Sequence, residues 1–469
     1  MPPAAGAPPA VRSLEDTLRV ALRDLSHPAR LLVAYSGGLD STVLLHLCAA
    51  LPPDVGATLE AVHVDHGLHP DAGAWAVHCR AACLRLGVPL TVLRVAAAVA
   101  RAEKGVEAAA REARYAALVP LLGTGDCLMT AHHRDDQAET VLLLLLRGSG
   151  PAGLAAMPRA APFGAGLHLR PLLGVARAEL RRYADARGLD WLDDPSNVDP
   201  MLGRGWLRSE LLPPLRARWP GADAALVRAA RHCADAAVIV EERAAEDLDA
   251  VATVSPWQLQ ADAVAYLPLP RRRAALRHWC TRQGVPVPDT ARLDELLAQL
   301  AAAAAARAPQ VEWPGGALRR HRDRLYLDPG LSPPPGECAL PLTADAELAL
   351  PSGLGALALV PGGALHPRLR DATLELRFRA PGLRVAIAGR RGHHMLKKLF
   401  QEAGVPPWLR ERVPILHADG EPVAIGDRWI CAPFAAPAGK GGLALCWQRP
   451  AAFAYWHDAP ARGRGPVTM

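Results

Sequence analysis

Lysine is scarce in this chain of 469 residues: Lys104, Lys397, Lys398 and Lys440 are the only four, and the rest of the 53 basic residues are arginine. No Cys-x-x-Cys occurs among the nine cysteines. That leaves no sign of a disulfide framework or of paired thiols for sulfur or cluster chemistry, and a reducing cytoplasm is the expected compartment. Cys79 and Cys83 lie one helical turn apart beside Trp75, Val77 and Leu86, and read as buried small hydrophobes. Long apolar runs are absent too. The longest run of large apolar residues, Val141 to Leu146, has six, far short of the roughly 18 a membrane span needs, so no membrane partner is expected. The N-terminus has no charged segment followed by an apolar stretch, so residues 1–12 read as a disordered Pro/Ala lead-in rather than a secretory signal. The Walker pattern G-x-x-x-x-G-K-[ST] is missing, which argues against a P-loop NTPase.

What is present is unevenly placed. The net charge is +6, but residues 351–400 alone hold nine Arg/Lys against two Asp/Glu, so the rest of the chain is close to neutral. The window comprises Arg368, Arg370, Arg377, Arg379, Arg384, Arg390, Arg391, Lys397 and Lys398. A local basic patch suits an acidic partner such as nucleic acid, and arginine suits bidentate phosphate contacts. The competing reading is a solvated basic face. Phe378, Phe400 and Trp408 read equally as stacking platforms or as core.

The length predicts two or three domains. Over the first 215 residues, apolar strand signals (Leu31 to Tyr35, Thr58 to Val64, Pro89 to Val95, Asp126 to Ala131) alternate with helix signals (Thr42 to Leu51, a segment through Leu86, Val106 to Leu122, Asp135 to Leu146). That alternation predicts crossover units, a parallel sheet and an α/β domain, with its site beyond the carboxyl ends of the strands. Pro213, Pro214 and Pro220 suggest a boundary, giving a catalytic domain at 13–220. Residues 223–330 read as mainly helical, with the alanine run Ala301 to Ala306 inside a helix and a short β-like end. A Ser-Pro-Pro-Pro-Gly linker falls within 331–345. Short β-prone runs and one helix near 394–403 give a small α+β domain at 346–455, followed by a tail at 456–469.

Ser36-Gly37-Gly38-Leu39-Asp40-Ser41 follows the first strand and opens a helix. The glycines let backbone approach a phosphate, the amides of Leu39 to Ser41 would face an anion at the helix N-terminus, and the two serines add hydroxyls. Asp40 is suited to hold Mg²⁺ on a polyphosphate. Gly148 to Gly153 fits G-x-G-x-x-G, but it follows a helix rather than a strand and contains a proline, which argues against a dinucleotide site. His132-His133-Arg134-Asp135-Asp136-Gln137-Ala138-Glu139 follows the fourth strand. Glu139 lies on one helix face with Asp135 and Asp136, an acidic cluster able to hold an ammonium and take its proton. His132 and His133 read as substrate contacts or, alternatively, as metal ligands. Arg111 and Arg114 share a helix face and read as phosphate contacts or as a solvated face paired with Glu107 and Glu112.

Taken together these segments resemble the ATP enzymes whose signature is SGGxDS, and more closely the bacterial tRNA(Ile)-lysidine synthetases. Val64-Asp65-His66-Gly67-Leu68, the helix ending Arg111 to Tyr115, the His132 to Thr140 segment, Arg147 to Met157, Arg170-Pro171-Leu172-Leu173 and Asp194-Pro195-Ser196-Asn197-Val198-Asp199 match that family's motifs in order. Residues 257–327 and 377–425 resemble its helical substrate-binding and C-terminal domains. There are two departures. Gly205 stands where the family commonly has asparagine, and Ala176 where a serine often caps a helix.

The resemblance implies an adenine nucleotide alpha hydrolase-like ATP-pyrophosphatase fold and a two-step ligation. ATP adenylates carbon 2's oxygen on the wobble cytidine of isoleucine tRNA with a CAU anticodon, releasing pyrophosphate. The amine of free lysine then displaces AMP. ATP would contact Ser36 to Ser41 with Val64, Asp65 and His66. Asp40, Arg111, Arg114, Asp135, Asp136 and Glu139 would carry catalysis. His132, His133, Asp194, Ser196, Asn197, Arg204 and Arg208 would bind substrate, although Asp194 to Asn197 is also simply a good turn. Arg377, Arg379, Arg390, Arg391, Lys397 and Lys398 would meet tRNA. A tRNA thiolase of the same loop class and a non-catalytic tRNA-binding protein are the alternatives. The oligomeric state, monomer or homodimer, is left open.

Overall fold

The structure is a computed structural model that describes residues 13–453 apart from 24, 26–27, 53–55, 66, 68–71, 96–105, 194–202, 303–309, 331, 336–338, 344–345, 379, 438–440 and 451–452. The chain divides into two compact units, Met1–Ile239 and Val240–Met469, with the division inside the helix Ala222–Ala250.

The first unit is built on strands β1 (Arg30–Ala34), β2 (Thr58–Asp65), β3 (Leu90–Arg94) and β4 (Asp126–Met129), all parallel. Helices α1 (Leu14–Arg23), α2 (Leu39–Ala49), α3 (Ala72–Leu86), α4 (Val106–Leu118) and α5 (Arg134–Leu146) accompany them. After Arg30, β1 is apolar because both its faces are covered. Leu31 and Val33 pack into a core with α1 and α2, while Leu32 joins Val62, Leu118 and Leu128 on the other side. A parallel strand buried on two faces needs such a run. α1 meets the core through Leu14, Leu18, Ala21 and Leu22, the spacing of an amphipathic helix.

Two details differ from the expectation. α4 ends at Leu118 rather than Leu122, because Pro120 converts Val119–Leu121 into a 3₁₀ turn. The sheet also gains a hairpin, β5 (Ala160–Phe163) and β6 (Gly166–Leu169), giving the order β3-β2-β1-β4-β6-β5 with β5 alone antiparallel. Pro213 and Pro214 do not end a helix. They sit at the start of Leu212–Arg218, which continues directly from the π-helical turn Leu207–Leu211.

In the second unit, helices Ala261–Tyr266, Leu269–Arg282 and Thr290–Ala302 accompany a four-stranded sheet ordered Gln258–Gln260, Arg324–Asp328, Gly316–His321, Gln310–Trp313. The expected helical character therefore holds with two strands added. Gly316 pairs with Trp313 across the hairpin, and a Cβ on it would come within 2.7 Å of the Trp313 ring. Most of the alanine run Ala301 to Ala306 lies outside the described residues. Beyond it, a five-stranded and a three-stranded antiparallel sheet share one core with the helix Leu396–Glu402. Among the described residues no helix is long and apolar enough to cross a membrane.

Candidate functional site

The loop between β1 and α2 is fixed by its own side chains. Ser41 Oγ accepts from the Ser36 amide at 3.2 Å and donates to the Gly38 carbonyl at 3.0 Å, and Ser36 Oγ lies 3.0 Å from it. The two serines thus shape the turn as well as offering hydroxyls. Gly37 has φ +85°, and a Cβ there would meet Cys79 Sγ at 3.0 Å, so the protein itself demands glycine. Gly38 differs: its φ is −76° and a Cβ would make only ordinary contacts, the nearest 3.6 Å to Ser36 Oγ. Among the described residues nothing requires glycine at 38. The first helical bond of α2 runs from Thr42 to the Gly38 carbonyl at 3.0 Å, leaving the Leu39, Asp40 and Ser41 amides at the open helix end.

Asp40, on the first turn of α2, faces His133 Nε2 at 3.5 Å and Arg177 Nε at 3.7 Å. Burial alone would push its carboxyl up, but His133, Arg177 and Arg208 outweigh that and hold it below the usual range. Its Oδ1 is buried and accepts no hydrogen bond from the described residues. His133 caps α5: its Nδ1 accepts from the Asp136 amide at 3.3 Å while Asp136 Oδ2 accepts from the His133 amide at 3.1 Å. This reciprocal cap puts the proton of neutral His133 on Nε2, facing Asp40. Burial disfavours charging His133, yet Asp40, Asp136 and Asp135 raise its proton affinity overall.

The carboxylates of α5 are already engaged by arginines from later segments. Arg208, on a π-helical turn at Leu207–Leu211, donates through Nε to Glu139 Oε1 at 2.6 Å and through Nη2 to Glu139 Oε2 at 2.9 Å, with a further bond to Asp136 at 3.0 Å. Glu139 is 1% exposed, and burial pushes its carboxyl above the ordinary range despite Arg208. Asp135 accepts from Arg216 at 3.2 Å and from the Arg177 amide at 3.1 Å. Arg204 donates to Thr140 Oγ1 at 3.2 Å. Gly205 is buried, and its carbonyl accepts from Ser209 Oγ at 3.2 Å. At Ala176 the missing serine is partly offset by Glu179, which accepts from the Ala176 amide at 3.4 Å.

His132 stands apart from His133. Its Nδ1 lies 2.7 Å from Thr130 Oγ1, which lies 2.8 Å from His168 Nε2, whose Nδ1 lies 3.1 Å from Arg170 Nη2. Tyr115 packs edge-on against Phe163 and beside His168, with Arg111 over its ring at 5.0 Å. Arg111 therefore sits with the His132–His168 group, and Arg114 is exposed on the same helix. Val64 is half-buried, and Asp65 uses its carboxylate locally, accepting from the Gly67 amide at 2.8 Å. His66, Asp194, Ser196, Asn197 and Arg379 lie outside the described residues. Sequence reasoning missed Thr130, His168, Arg177 and Arg216. Their only local signal was that Thr130 directly follows a strand and Arg177 opens a helix.

In the second unit, Lys397, Lys398 and Arg391 are exposed. Arg377 pairs with Glu375 at 2.8 Å, and Arg390 with Glu402 at 2.9 Å, so part of the basic window is locally neutralised by acids that include one just beyond it. Phe378 and Phe400 are core at 1% and 3% exposure. Trp408 packs edge-on against His321 and Tyr326.

A glycine loop at the carboxyl end of the central strand, beside a half-buried aspartate, defines an ATP-using PP-loop α/β domain, and the PP-loop domain family matches residues 11–215. The TilS substrate binding domain matches residues 259–326 and the TilS substrate C-terminal domain residues 374–447. The chain is 43% identical to the tRNA(Ile)-lysidine synthase of Methylococcus capsulatus, covering 88% of this chain and 95% of that one. It is 47% identical to that of Alkalilimnicola ehrlichii (87% and 91%) and 39% identical to that of Shigella flexneri (91% and 98%). The chain belongs to the tRNA(Ile)-lysidine synthase family.

Proposed function

We propose that this chain ligates lysine to carbon 2 of the wobble cytidine in isoleucine tRNA bearing a CAU anticodon. In the first step the cytidine oxygen attacks the α-phosphorus of ATP, and the bond to the β-phosphate oxygen breaks, releasing pyrophosphate. In the second the deprotonated ε-amine of lysine attacks carbon 2, and the bond to the adenylate oxygen breaks, releasing AMP. The observation that carries the reading is the loop with its open amides and a Gly38 that leaves room for an incoming ligand, no described residue crowding it. The Leu39 to Ser41 amides and the serine hydroxyls bind phosphate; Val64, Asp65 and His66 flank the nucleotide.

Mg²⁺ fits the donor set: Asp40 has a buried oxygen, unbonded among the described residues, beside a phosphate loop, and one carboxylate plus substrate phosphates is a common Mg²⁺ environment. Asp40 would hold the ion, which would neutralise charge on the departing pyrophosphate. Arg111 and Arg114 counter charge on the phosphates. Asp135 and Asp136 form the acidic pocket for lysine's ammonium, and a carboxylate of that cluster takes its proton. Glu139, locked to Arg208, forms the pocket wall. His132, His133, Arg204 and Arg208 contact substrate, and Asp194, Ser196 and Asn197 close over it.

The three domains at 13–220, 223–330 and 346–455 divide catalysis, substrate binding and tRNA contact. Arg377, Arg379, Arg390, Arg391, Lys397 and Lys398 face tRNA. The reaction belongs in the cytoplasm, where tRNA, lysine and ATP occur together. The thiolase alternative is disfavoured because Cys48, Cys79, Cys83, Cys127, Cys280 and Cys431 are buried, and burial pushes the Cys79 and Cys83 thiols up to about 12 and about 11. The test is pyrophosphate release from ATP in the presence and absence of the CAU-anticodon transcript. Release that depends on the transcript supports the reading; release indifferent to it contradicts it.

A further inference from the structure

We propose that Arg170, His168 and Thr130 form a one-way hydrogen-bond chain that locks His132 as the neutral tautomer with its proton on Nε2. His132 then serves the site as a hydrogen-bond donor. The inference rests on reading this site as the reaction centre.

The direction follows from Arg170. A guanidinium has five N–H donors and no acceptor, so at 3.1 Å it donates to His168 Nδ1. With Nδ1 accepting, His168 is neutral and carries its proton on Nε2. That proton is donated across 2.8 Å to Thr130 Oγ1. Among the described residues the Thr130 hydroxyl has one other polar neighbour, His132 Nδ1 at 2.7 Å, so its own hydrogen goes there. His132 Nδ1 is thereby an acceptor, and its proton sits on Nε2, which has no partner among the described residues.

The chain is built rather than incidental. Thr130, His168 and Arg170 are 8%, 3% and 7% exposed. Arg170 is anchored at its far end by a 2.8 Å bond to the Pro158 carbonyl, and Thr130 and Leu169 are joined through the backbone at 3.1 Å. Charges around the ring agree. Burial, Arg170, Arg111 and His168 outweigh the attraction of Asp136 and push the His132 proton affinity down to about 3. Burial, Arg170 and Arg111 do the same to His168, also to about 3.

Two consequences follow. Nδ1 of His132 is occupied, so it is unavailable to a metal. A ring that stays neutral across the working pH range presents a constant N–H to whatever binds, such as a phosphate or cytosine oxygen. Thr130, His168 and Arg170 are positioning residues acting through His132.

The experiment is long-range ¹H–¹⁵N spectroscopy of the full chain labelled at its histidine rings, with His132→Gln and His168→Gln used to assign the two signal sets. The account predicts an unprotonated Nδ1 and a protonated Nε2 on His132, unchanged from pH 8 to pH 5. A protonated Nδ1, or a ring that titrates near the ordinary value of about 6.5, overturns it. Thr130→Val should lower kcat about tenfold, leave the KM for ATP within about twofold, and add an acidic limb to the pH profile; Thr130→Ser should restore all three. A purely structural role would move neither the tautomer nor the pH profile. If the wild-type spectrum is as predicted but no lysidine forms, the functional reading fails and the chain stands; an active enzyme with a titrating His132 refutes the chain alone.

Discussion

Asp40 is a half-buried carboxylate whose Oδ1 is buried and has no hydrogen-bond partner among the described residues. Asp40→Ala should abolish tRNA-dependent pyrophosphate release, a loss of at least about a hundredfold, measured with the transcript at saturation; near-wild-type release would remove Asp40 from the mechanism. Arg208→Ala should act on stability as well as on substrate binding, since Glu139 at 1% exposure would lose both its bonds. A buried carboxylate stripped of its partner costs about 3 kcal/mol, readable as a lower midpoint in denaturant; an unchanged midpoint would show that Glu139 relaxes outward. At this scale the contiguous motifs were legible. Ser36 to Ser41 and His132 to Glu139 declare themselves because a turn and a helix bring neighbours in sequence together. Arg216 meets Asp135 from 81 residues away, and His168 meets Thr130 from 38, so no local periodicity could reveal either.

The elements explain how the loop-bearing strand is held. β1 is the central strand, and Arg30 at its start bonds Glu60 of β2 at 3.1 Å and Asp126 of β4 at 2.6 Å, tying three strands at the end opposite the loop. The Arg30 hydrogen bond holds the Asp126 carboxyl below its ordinary value. A depressed carboxylate contributes stability that is present above the unfolded value, near 4, and lost as pH falls through the folded one. Asp126→Asn should therefore cost about 1 kcal/mol at pH 7 and flatten the fall in stability below pH 4; an unaltered acid limb would exclude this tie. At the helix Arg177–Ala186, Ala176→Ser should add a cap that Glu179 supplies only in part. The expected gain is about 0.5–1 kcal/mol, seen as a raised Tm, and no rise would mean the Glu179 contact suffices. β1 to β4 were readable from their apolar centres, Leu31 to Ala34, Ala61 with Val62, Val92 with Leu93, and Cys127 to Met129. β5 and β6 were not: four residues each, with the apolar pattern broken by Pro162 and Gly166, they are strands only because β4 offers an open edge.

Across the whole molecule, charge separates a near-neutral catalytic body from one basic segment, and the structure sharpens that division. Arg377 and Arg390 are paired with neighbouring acids, whereas Lys397 and Lys398 stand exposed on a helix whose other face buries Leu396, Leu399 and Phe400. Replacing both lysines with glutamate should weaken tRNA binding and reduce the slope of log affinity against log salt by about two; unchanged affinity and slope would show that this helix does not meet tRNA. The basic window was visible in the sequence, but which of its residues are free was not, because Glu402 lies beyond it and pairs back. Lysine's scarcity acquires a second sense here, since in our proposal lysine is the substrate. The measurement that tests this most directly is transfer of radiolabelled lysine by the purified chain, with ATP, to an isoleucine tRNA transcript bearing CAU. Label should enter that transcript, require ATP, and vanish when the wobble cytidine is replaced; ATP bound with no label transferred would contradict the account.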